Sequence, residues 1–358
     1  MSPVCPTKDR PPPSALQFAQ GNPRPLNRRA LLLAGASACL CAPWPGALAQ
    51  TAPAGQGRAA WPHKPLSLIV PFGAGGVADV TARTVARAME ADLGQPLVID
   101  NRPGAGGITA TSAAVRAQPD GHTLLLVSNA TAISATLFPK QPFDARRDLQ
   151  AVSTLGHFDL AVCVRQDAPW RDLAGMLRFA REQPGKLSIG TIAVGSTQNL
   201  TAQMLKAQAG VDALVVPYKS SPEVVTALRS GQIDAAVDIL SPLLAHVAAG
   251  SIRALAVTAA ARHPLLPDTP TVAEAGLADC VVSSWNGLAV PRRTPPAVVQ
   301  RLNAAVHHAL AQAEVQQQLT GLGVRPAAST TEALAQLLES DTLRWRKVIE
   351  AAGIAPAA

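Results

Sequence analysis

The sequence contains few aromatic and few charged residues, and this scarcity argues against several classes of protein. Aromatic side chains make up 3% of the 358 residues and charged side chains 15%. Nucleic-acid binding needs basic clusters and usually stacking rings, so this composition disfavours it. The formal net charge of +7 does not alter the conclusion, because residues 1–49 hold five basic residues and one acidic residue. We therefore expect no nucleic-acid partner.

Cysteine is also scarce, and the common catalytic and metal-binding motifs are missing. Of the five cysteines, only Cys163 and Cys280 lie beyond residue 49, so a disulfide scaffold is excluded and no CxxC pair could hold a metal. Both lie in β-like runs. Buried free thiols are the default, and a single bridge in an oxidising compartment is the alternative. No GxSxG or HExxH motif occurs. We predict no catalytic residue, no metal site and no cofactor.

No hydrophobic run is long enough to span a bilayer, and the one apolar stretch near the N-terminus is typical of an export signal. The proline-rich start of the chain is typical of a disordered segment. A paired arginine, Arg28-Arg29, then precedes an apolar run that ends in Ala47-Leu48-Ala49, a small-x-small cleavage site. We interpret residues 1–49 as an N-terminal extension and an export signal cleaved near Gln50, with the twin-arginine and the general secretory route as the two alternatives. This predicts a periplasmic protein, and Cys39 leaves a lipoprotein as the alternative.

A glycine-rich turn behind a short apolar run is the most informative stretch. Leu66–Val70 predicts a strand buried on both faces, and Pro71 ends it because proline has no amide proton. The amphipathic run Val77–Leu93 predicts a helix whose first amides point into the turn, which outlines an anion site. We expect Gly75 and Gly76 to require glycine, because a Cβ there would block a ligand or strain a positive φ.

The same turn also fits a dinucleotide fingerprint, which has to be weighed against the anion site. Residues 73–78 match GxGxxA, and Asp100 follows the next apolar run. However, the charge of Asp79 in the first helical turn would oppose a pyrophosphate, and Pro71 hinders the tight turn that the fingerprint needs. Residues 104–107 repeat the glycine spacing, which favours a crevice for a small anion over one cofactor loop. A plain tight turn is the alternative for this second loop.

Strands and helices alternate, which predicts doubly wound parallel sheets. The predicted strands are Leu66–Val70, Pro96–Asp100, Thr123–Ser128, Leu160–Arg165, Leu187–Gly190, Leu214–Val216, Ile233–Val237 and Val281–Val290. The predicted helices include Val77–Leu93, Ser196–Ala209, Pro222–Arg229, Pro295–Ala313 and Thr330–Ala351, the last opened by a capping box from Ser329 to Glu332. We expect a first domain from residues 61–160 plus 284–358 and an inserted second domain from residues 161–283. Leu160–Arg165 and Val281–Val290 would form a two-strand hinge that closes on a ligand.

Polar loops follow several of these strands at the same edge of the sheets. Residues 128–131 offer hydroxyl and amide groups, although a plain polar loop is an alternative. Residues 190–197 have the glycine spacing of a nucleotide loop, but Ser196 replaces the phosphate-binding lysine, so a hydroxyl-rich helix start for one carboxylate is the better interpretation. In residues 218–222, Ser221 suits the cap and Pro222 the first helical position.

Three single residues in these loops stay open to two interpretations each. Tyr218, the only tyrosine, forms a pocket wall or packs at a domain edge. Lys219 contacts a ligand or is a solvated charge. Asp238, the one acid placed after the strand Ile233–Val237, is a ligand contact or a helix cap.

Many short motifs in order resemble a known family. They are Trp61–Pro65, Pro71–Asp79, Asn101–Gly107, Pro119–Leu124, Val216–Lys219, Pro267–Val272, Glu274–Gly276 and Ser284–Trp285. Over nearly the whole of residues 61–354 the chain resembles the periplasmic solute receptors of tripartite tricarboxylate transporters, the Bug (Bordetella uptake gene) family. The resemblance implies a type II periplasmic binding fold and a monomer that passes a small carboxylate to the membrane permease subunits of the transporter. The alternative from another class is an exported α/β hydrolase or oxidoreductase.

The resemblance also implies the ligand contacts, which would be backbone amides, hydroxyls and ordered waters. By position they would come from Phe72, Gly73, Ala74, Gly75, Gly76, Ser128, Asn129, Ala130, Thr131, Thr191, Val194, Gly195, Ser196, Thr197, Tyr218, Lys219, Ser220, Ser221 and Asp238. The chain departs from the family pattern at three positions, since Ala193 and Ser220 replace glycines and Asn199 replaces a histidine. The added side chains at 193 and 220 should narrow the pocket.

Overall fold

Strands and helices alternate along the chain in the computed structural model of the protein, which describes residues 61–356. The strands are β1 (Leu66–Val70), β2 (Leu97–Asn101), β3 (Thr123–Ser128), β4 (Leu149–Arg165), β5 (Leu187–Ile192), β6 (Ala213–Tyr218), β7 (Ala235–Ile239), β8 (Ile252–Val257), β9 (Ser283–Pro291) and β10 (Val324–Pro326). The predicted extension, export signal and cleavage site lie outside the described residues. Within the described residues, no helix has the length and apolarity needed to cross a membrane.

Helices follow most of the strands. They are α1 (Val77–Leu93), α2 (Ile108–Val115), α3 (Asn129–Leu137), α4 (Ala145–Asp148), α5 (Leu173–Glu182), α6 (Thr197–Ala209), α7 (Ser221–Ser230), α8 (Leu240–Ala248), α9 (Pro296–Ala311), α10 (Ala313–Gly321) and α11 (Thr331–Ala351). Short 3-10 turns occur at Ala105–Gly107 and Ala278–Cys280. The predicted bounds of β1, α1 and β3 are confirmed to the residue, because each element is long or clearly delimited by proline, glycine or a polar cap.

The strands form two groups. β2, β1 and β3 are the parallel strands of the first group, β7, β5 and β6 are those of the second group, and antiparallel strands join the two. The order across the sheet is β2-β1-β3-β9-β4-β7-β5-β6, with β8 and β10 also paired to β4. β1 runs parallel to β2 and β3, and β5 runs parallel to β6 and β7, whereas β4 and β9 are antiparallel to all of their partners. All parallel strands of a group therefore end at one edge, where their loops meet.

β4 is longer than the sequence pattern predicts, and it takes part in both groups. Only Leu160–Arg165 was expected as a strand, but the strand begins at Leu149. Its first part pairs with β9 and β10, and its last residues pair with β7 and β8. The sequence pattern does not predict the first part of β4, because its register with β9 shifts twice and these shifts interrupt the alternation of apolar residues. At Gly156, a Cβ would lie 2.9 Å from the carbonyl oxygen of Arg325, so glycine lets β10 approach.

Side chains from both faces of the strands are buried in separate layers. Leu68 and Leu126 pack with α1 and α9 on one face, whereas Ile69 and Leu125 belong to the layer on the opposite face. That second layer includes Trp285 and reaches residues of α5, α6 and α11. A third cluster packs α7 and α8 against the strands of the second group. A strand covered on both sides explains why the apolar runs are continuous rather than alternating.

The chain passes from the first group of strands to the second after residue 159 and returns at residue 283, and these two positions are neighbours in the sheet. Asp159 on β4 and Ser283 on β9 are register partners. The hydroxyl of Thr258 accepts from the amide of Leu160 at 3.1 Å and donates to the carbonyl of Val282 at 2.5 Å, so one buried side chain ties the two crossing segments together. The boundaries of two domains at residues 160 and 284 stay a prediction, and the described residues 61–356 form one compact unit.

Two predicted helix caps, those of α7 and α11, need correction by one residue. α7 is capped by Ser220, not by Ser221, and Pro222 is its second residue rather than its first. Thr330 caps α11 and accepts from the amide of Ala333, so the predicted capping box from Ser329 is wrong. The hydroxyl of Ser329 accepts from the amide of Thr154 instead, which a sequence pattern cannot show. Cys163 and Cys280 are buried free thiols, as expected, and burial raises the pKa of Cys163 to about 12 and that of Cys280 to about 11.

We expect Arg325→Met to lower the free energy of unfolding by about 2 kcal/mol, because it strips a buried carboxylate of its charged partner. Asp159 is 1% exposed and receives two hydrogen bonds from Arg325, at 3.2 and 2.9 Å, and one from the Ser283 hydroxyl at 2.9 Å. The guanidinium is half-exposed, which keeps the loss below that of a fully buried pair. Urea unfolding measures it. The double variant Arg325→Met/Asp159→Asn should lose less than Arg325→Met, and an equal or larger loss would contradict this account.

Candidate ligand-binding site

A cavity of about 260 Å³, here called the inner cavity, lies where loops of both strand groups meet. It is lined by Phe72, Gly76, Val77, Ala78, Ser128, Ala130, Ile133, Phe158, Ile192, Gly195, Ser196, Thr197, Gln198, Ser221, Ile239, Ser284 and Asn286. None of these described lining residues carries a charged side chain. Its polar groups are hydroxyls, side-chain amides and backbone.

The starts of α1, α3, α6 and α7 all contribute to the inner cavity, as does the residue that caps α8. The first amides of an α-helix have no partner within the helix, and the helix dipole adds partial positive charge there. Several such ends around one neutral cavity favour an anion without a lysine or arginine in contact. The geometry is that of a site for a small anionic group.

The glycine turns before α1 and α6 are stabilised by the same kind of hydrogen bond. Gly75 has φ +84°, and its amide donates to Oδ2 of Asp79 at 2.8 Å. Gly195 has φ +78°, and its amide donates to Oδ1 of Asn199 at 3.3 Å. In both cases the acceptor is the third residue of the helix, and the donor is the residue before the cap. At α7 the amide of Lys219 likewise donates to Glu223 at 3.2 Å.

Asp79 joins the first glycine turn to β2. Its Oδ1 accepts from Nδ2 of Asn101 at 2.8 Å, and its Oδ2 also accepts from Nε of Arg83 at 2.9 Å. Asn101 Nδ2 donates in addition to the carbonyl of Phe72 at 3.0 Å. Burial raises the pKa of Asp79, but the hydrogen bonds from Arg83, the Gly75 amide and Asn101 outweigh it and hold the pKa below its usual range. The turn is therefore anchored by an ionised carboxylate.

Asn129, a predicted ligand contact, is engaged in a buried network instead. Its Oδ1 accepts from the amide of Trp285 at 2.8 Å and from the hydroxyl of Ser284 at 3.1 Å. Its Nδ2 donates to Asp341 of α11 at 3.2 Å, and Asp341 also accepts from the Trp285 indole at 2.7 Å. Burial raises the pKa of Asp341. This network fixes the start of α3 against β9 and so positions the cavity wall.

Asp238 lies inside β7, not after the strand as predicted, and it is fully buried behind the inner cavity. Its Oδ1 accepts from Nε2 of Gln198 at 3.0 Å and from the amide of Ile239 at 2.8 Å. Oδ2 has no hydrogen bond of normal geometry, although the Ser221 hydroxyl is near enough to favour the ionised form. Burial outweighs these contacts and raises the pKa of Asp238. Asp238 is therefore not itself the cap of a helix. Its carboxylate accepts from the amide of Ile239, and Ile239 is the residue that caps α8.

A second cavity of about 370 Å³, here called the outer cavity, adjoins the first. The two share Phe72, Ala130, Ile133, Gly195 and Ser196. The outer cavity is further lined by Pro71, Gly73, Pro103, Gly104, Gly106, Gly107, Ser134, Leu137, Phe138, Ala193 and Val194. The repeated glycine turn, residues 104–107, therefore faces this cavity together with the first one.

The structure brings about half of the predicted contacts to the cavities. Those that line the inner cavity are Phe72, Gly76, Ser128, Ala130, Gly195, Ser196, Thr197 and Ser221, and Gly73 and Val194 line the outer one. Those that line neither are Ala74, Gly75, Asn129, Thr131, Thr191, Tyr218, Lys219, Ser220 and Asp238. Their roles as ligand contacts stay a prediction.

Several of the residues outside the cavities have other partners. Thr131 accepts from the amide of Ser128 in a capping box, and Thr191 accepts from Asn199. Tyr218 packs against the third core cluster, and Lys219 is exposed. Gly76 has φ −76°, and a Cβ there would make an ordinary contact of 3.8 Å with the carbonyl oxygen of Gly73, so a positive φ requires glycine at Gly75 only. That a side chain at Gly76 would block a ligand stays a prediction. Of the two departures expected to narrow the pocket, Ala193 lines the outer cavity and Ser220 lines neither.

Sequence reasoning missed nine residues of the inner cavity. They are Val77, Ala78, Ile133, Phe158, Ile192, Gln198, Ile239, Ser284 and Asn286. Most are apolar and carry no signal of a site. Of the three polar ones, Gln198, Ser284 and Asn286, the last carries the clearest signal, because it lies in the middle of the buried strand β9 and is only 1% exposed. Among the described residues, no cluster of histidine, cysteine and acidic side chains could hold a metal ion.

The architecture and the cleft define a periplasmic binding protein fold of type II, and comparison with known proteins specifies the family. A family model described as tripartite tricarboxylate transporter family receptor matches residues 81–354. The chain therefore belongs to this family. Protein BugT of Bordetella pertussis is 31% identical over 295 residues, which are 82% of this chain and 90% of BugT. The resemblance to the Bug family is confirmed.

Solved structures agree with this assignment. MatC from Rhodopseudomonas palustris with bound malate is 32% identical, with a TM-score of 0.69, over 81% of this chain and 100% of that one. An R. palustris protein with adipate is also 32% identical, with a TM-score of 0.74, over 83% of this chain and 100% of that one. The predicted fold class is thereby confirmed.

We expect Asp79→Ala to lower the free energy of unfolding by about 2–3 kcal/mol, because it removes the charged acceptor of the Gly75 amide and one of the two acceptors of Asn101 Nδ2. Arg83→Met is the matched control. It removes the half-exposed partner of the carboxylate and one exposed hydrogen bond to Oδ1 of Asn101, so its cost should stay below about 1 kcal/mol. Urea unfolding at neutral pH gives both values, and hydrogen exchange of the Gly75 amide should accelerate in Asp79→Ala alone. Equal losses in the two variants would show that the ion pair, not the turn, is what Asp79 stabilises.

We expect Asp238→Asn to become more stable relative to the parent protein as pH rises. Because the folded-state pKa of Asp238 is raised, the folded protein binds the proton more tightly than the unfolded chain, so stability falls as pH rises from the ordinary carboxyl pKa through the folded one. Asparagine keeps the Oδ1 acceptor and removes the titration. The Tm difference between variant and parent, measured at pH 4 and pH 7, should therefore increase. Asp268→Asn, an exposed control, should show no such increase.

Proposed function

We propose that this protein is a periplasmic receptor that captures an organic carboxylate and delivers it to the membrane permease subunits of a tripartite transporter. The observation that carries the proposal is the convergence of several helix starts on one cavity whose described lining has no charged side chain. Shared amides and dipoles stabilise a carboxylate without a strong ion pair. Such a site suits a receptor that must release its ligand to a transporter.

The relatives support the same ligand class. The family model describes a receptor of tripartite tricarboxylate transporters, and the two similar R. palustris structures carry malate and adipate. Both are organic acids that are ionised at neutral pH. A carboxylate in the inner cavity of this chain is consistent with both the family and the geometry.

We further propose that the receptor is a monomer without catalytic activity, and that residues 1–49 direct its export. In the described lining of the two cavities there is no histidine, cysteine, acid or base. Asp238, the acid near the Ser221 hydroxyl, is fully buried behind the inner cavity and does not line it. This disfavours the exported hydrolase as an alternative. The periplasmic location agrees with the role of the family and with the signal predicted from the sequence.

We expect carboxylates, but not their primary amides, to raise the Tm of the exported protein. Malate, adipate, hexanoate and benzoate are to be tested beside the corresponding amides in a thermal-shift titration. A ligand at a hundredfold excess over its Kd stabilises by about 2.7 kcal/mol, which shifts the Tm by about 5 °C or more. The amides match the acids in shape and lack the charge that the helix starts favour.

Isothermal titration calorimetry on the acid with the largest shift then supplies the Kd and the stoichiometry. Equal shifts from an acid and its amide would show that the cavity does not select an anion. Failure of all four acids would argue against a carboxylate receptor. One molecule bound per chain, with tighter binding of the acid, is the outcome that the proposal requires.

A further inference from the structure

The inner and outer cavities adjoin each other and have very different walls. They share five lining residues, so one ligand in contact with those residues meets both cavities, which together are called the space below. The volumes, about 260 and 370 Å³, leave more room outside than inside. The chemistry of each wall therefore constrains a different part of the same ligand.

The outer cavity presents almost only apolar side chains and backbone. Leu137 and Phe138 lie so close to the glycine turns that a Cβ on Gly195 or Gly106 would overlap them. The two hydroxyls in its described lining are already used. That of Ser134 donates to the carbonyl of Thr131 at 3.0 Å, and that of Ser196 donates to the carbonyl of Ile192 at 3.2 Å. A charged group placed here would lose its hydration without a side-chain partner in return. Of the helix starts that reach this cavity, those of α2 at Gly107, of α3 at Ala130 and of α6 at Ser196, the last two are shared with the inner cavity.

The inner cavity, in contrast, has a buried donor that lacks an acceptor. Nδ2 of Asn286 has no hydrogen-bond partner, and the residue is 1% exposed. Asn286 is the register partner of Ser128 across β9 and β3, so the two side chains project from the same face of the sheet. The Ser128 oxygen accepts from the amide of Ala130 at 3.2 Å, which leaves its hydroxyl proton free to donate. Two groups that can donate, and that lack an acceptor, therefore lie in the wall at this end of the space.

We propose that the ligand is a monocarboxylate with an apolar body, whose carboxylate accepts from Asn286 in the inner cavity and whose body fills the outer cavity. This inference rests on the proposed function and narrows it from carboxylates in general to one class. An unpaired buried donor is costly, so Asn286 favours a ligand that supplies an oxygen there. A second carboxylate at the far end of the ligand would meet the apolar walls of the outer cavity. Asn286 thus fixes the orientation of the ligand.

The decisive comparison uses two acids of equal length, hexanoate and adipate, which differ only in the second carboxylate. Calorimetry on the full exported protein should give a Kd for hexanoate at least about tenfold lower than that for adipate. Phenylpropanoate, with a bulkier apolar body, should bind at least as tightly as hexanoate. Equal affinities, or tighter binding of adipate, would overturn this inference while leaving a carboxylate receptor intact. If none of these acids binds, the proposed function fails as well.

Two variants test the two ends of the space separately. Asn286→Leu should weaken hexanoate binding about tenfold or more without loss of Tm, because the removed amide has an unpaired donor in the free protein. Val194, which lines the outer cavity and is 59% exposed, tolerates a longer side chain. Val194→Lys should shift the preference toward adipate by about tenfold, because the ammonium group pairs with the second carboxylate.

Val98→Lys is the matched control for the added charge. Val98 is 56% exposed on β2 and lines neither cavity, so this variant should keep the parent ratio of the two affinities. An unchanged ratio in Val194→Lys, or the same change in both lysine variants, would overturn the placement of the apolar body in the outer cavity. Unchanged hexanoate affinity in Asn286→Leu would overturn the role of Asn286.

Discussion

The ligand cleft depends on one hydrogen bond, which runs from a glycine amide before the helix to the side chain of the third residue of that helix. Asp79 and Asn199 each bond the amide of the glycine that precedes the helix cap. A glycine with positive φ can turn the chain sharply, but on its own it costs conformational entropy and holds no fixed shape. The side chain behind it removes that freedom. The next amides of each helix are then held in one direction, toward the inner cavity.

In this arrangement, different groups fix the backbone and attract the anion, whereas in a charged site the same side chains would do both. Asp79 and Asp238 are charged or titratable, yet the first acts on a turn and the second on Gln198, and neither lines the cavities. The attraction for an anion comes from helix ends, whose strength depends little on which ligand is bound. Selectivity is left to the shape and polarity of the walls. The residues of the walls can therefore change while the glycine turns stay the same.

The sequence predicts the parts of this structure that depend on local pattern. The bounds of β1, α1 and β3 follow from continuous apolar runs and from proline and glycine, and the glycine turns follow from their spacing. The contacts of Asn129 and Ser329 could not be predicted, because their partners Asp341 and Thr154 are remote in the chain. The same limit applies to Asn286, whose neighbour Ser128 becomes visible only through strand register. Polar loops indicate where a site lies, but not which of their groups are already used.

The position of β9 has a consequence for the order in which the chain can fold. β9 lies between β3 and β4, yet the whole segment from Gln166 to Val282 separates it from β4 along the chain. Its pairing closes a very long loop, and such contacts form slowly because much chain entropy is lost before they are gained. The intervening segment has its own parallel strands and can shorten that loop by folding first. Completion of the first group of strands is therefore a late event that waits for the second group.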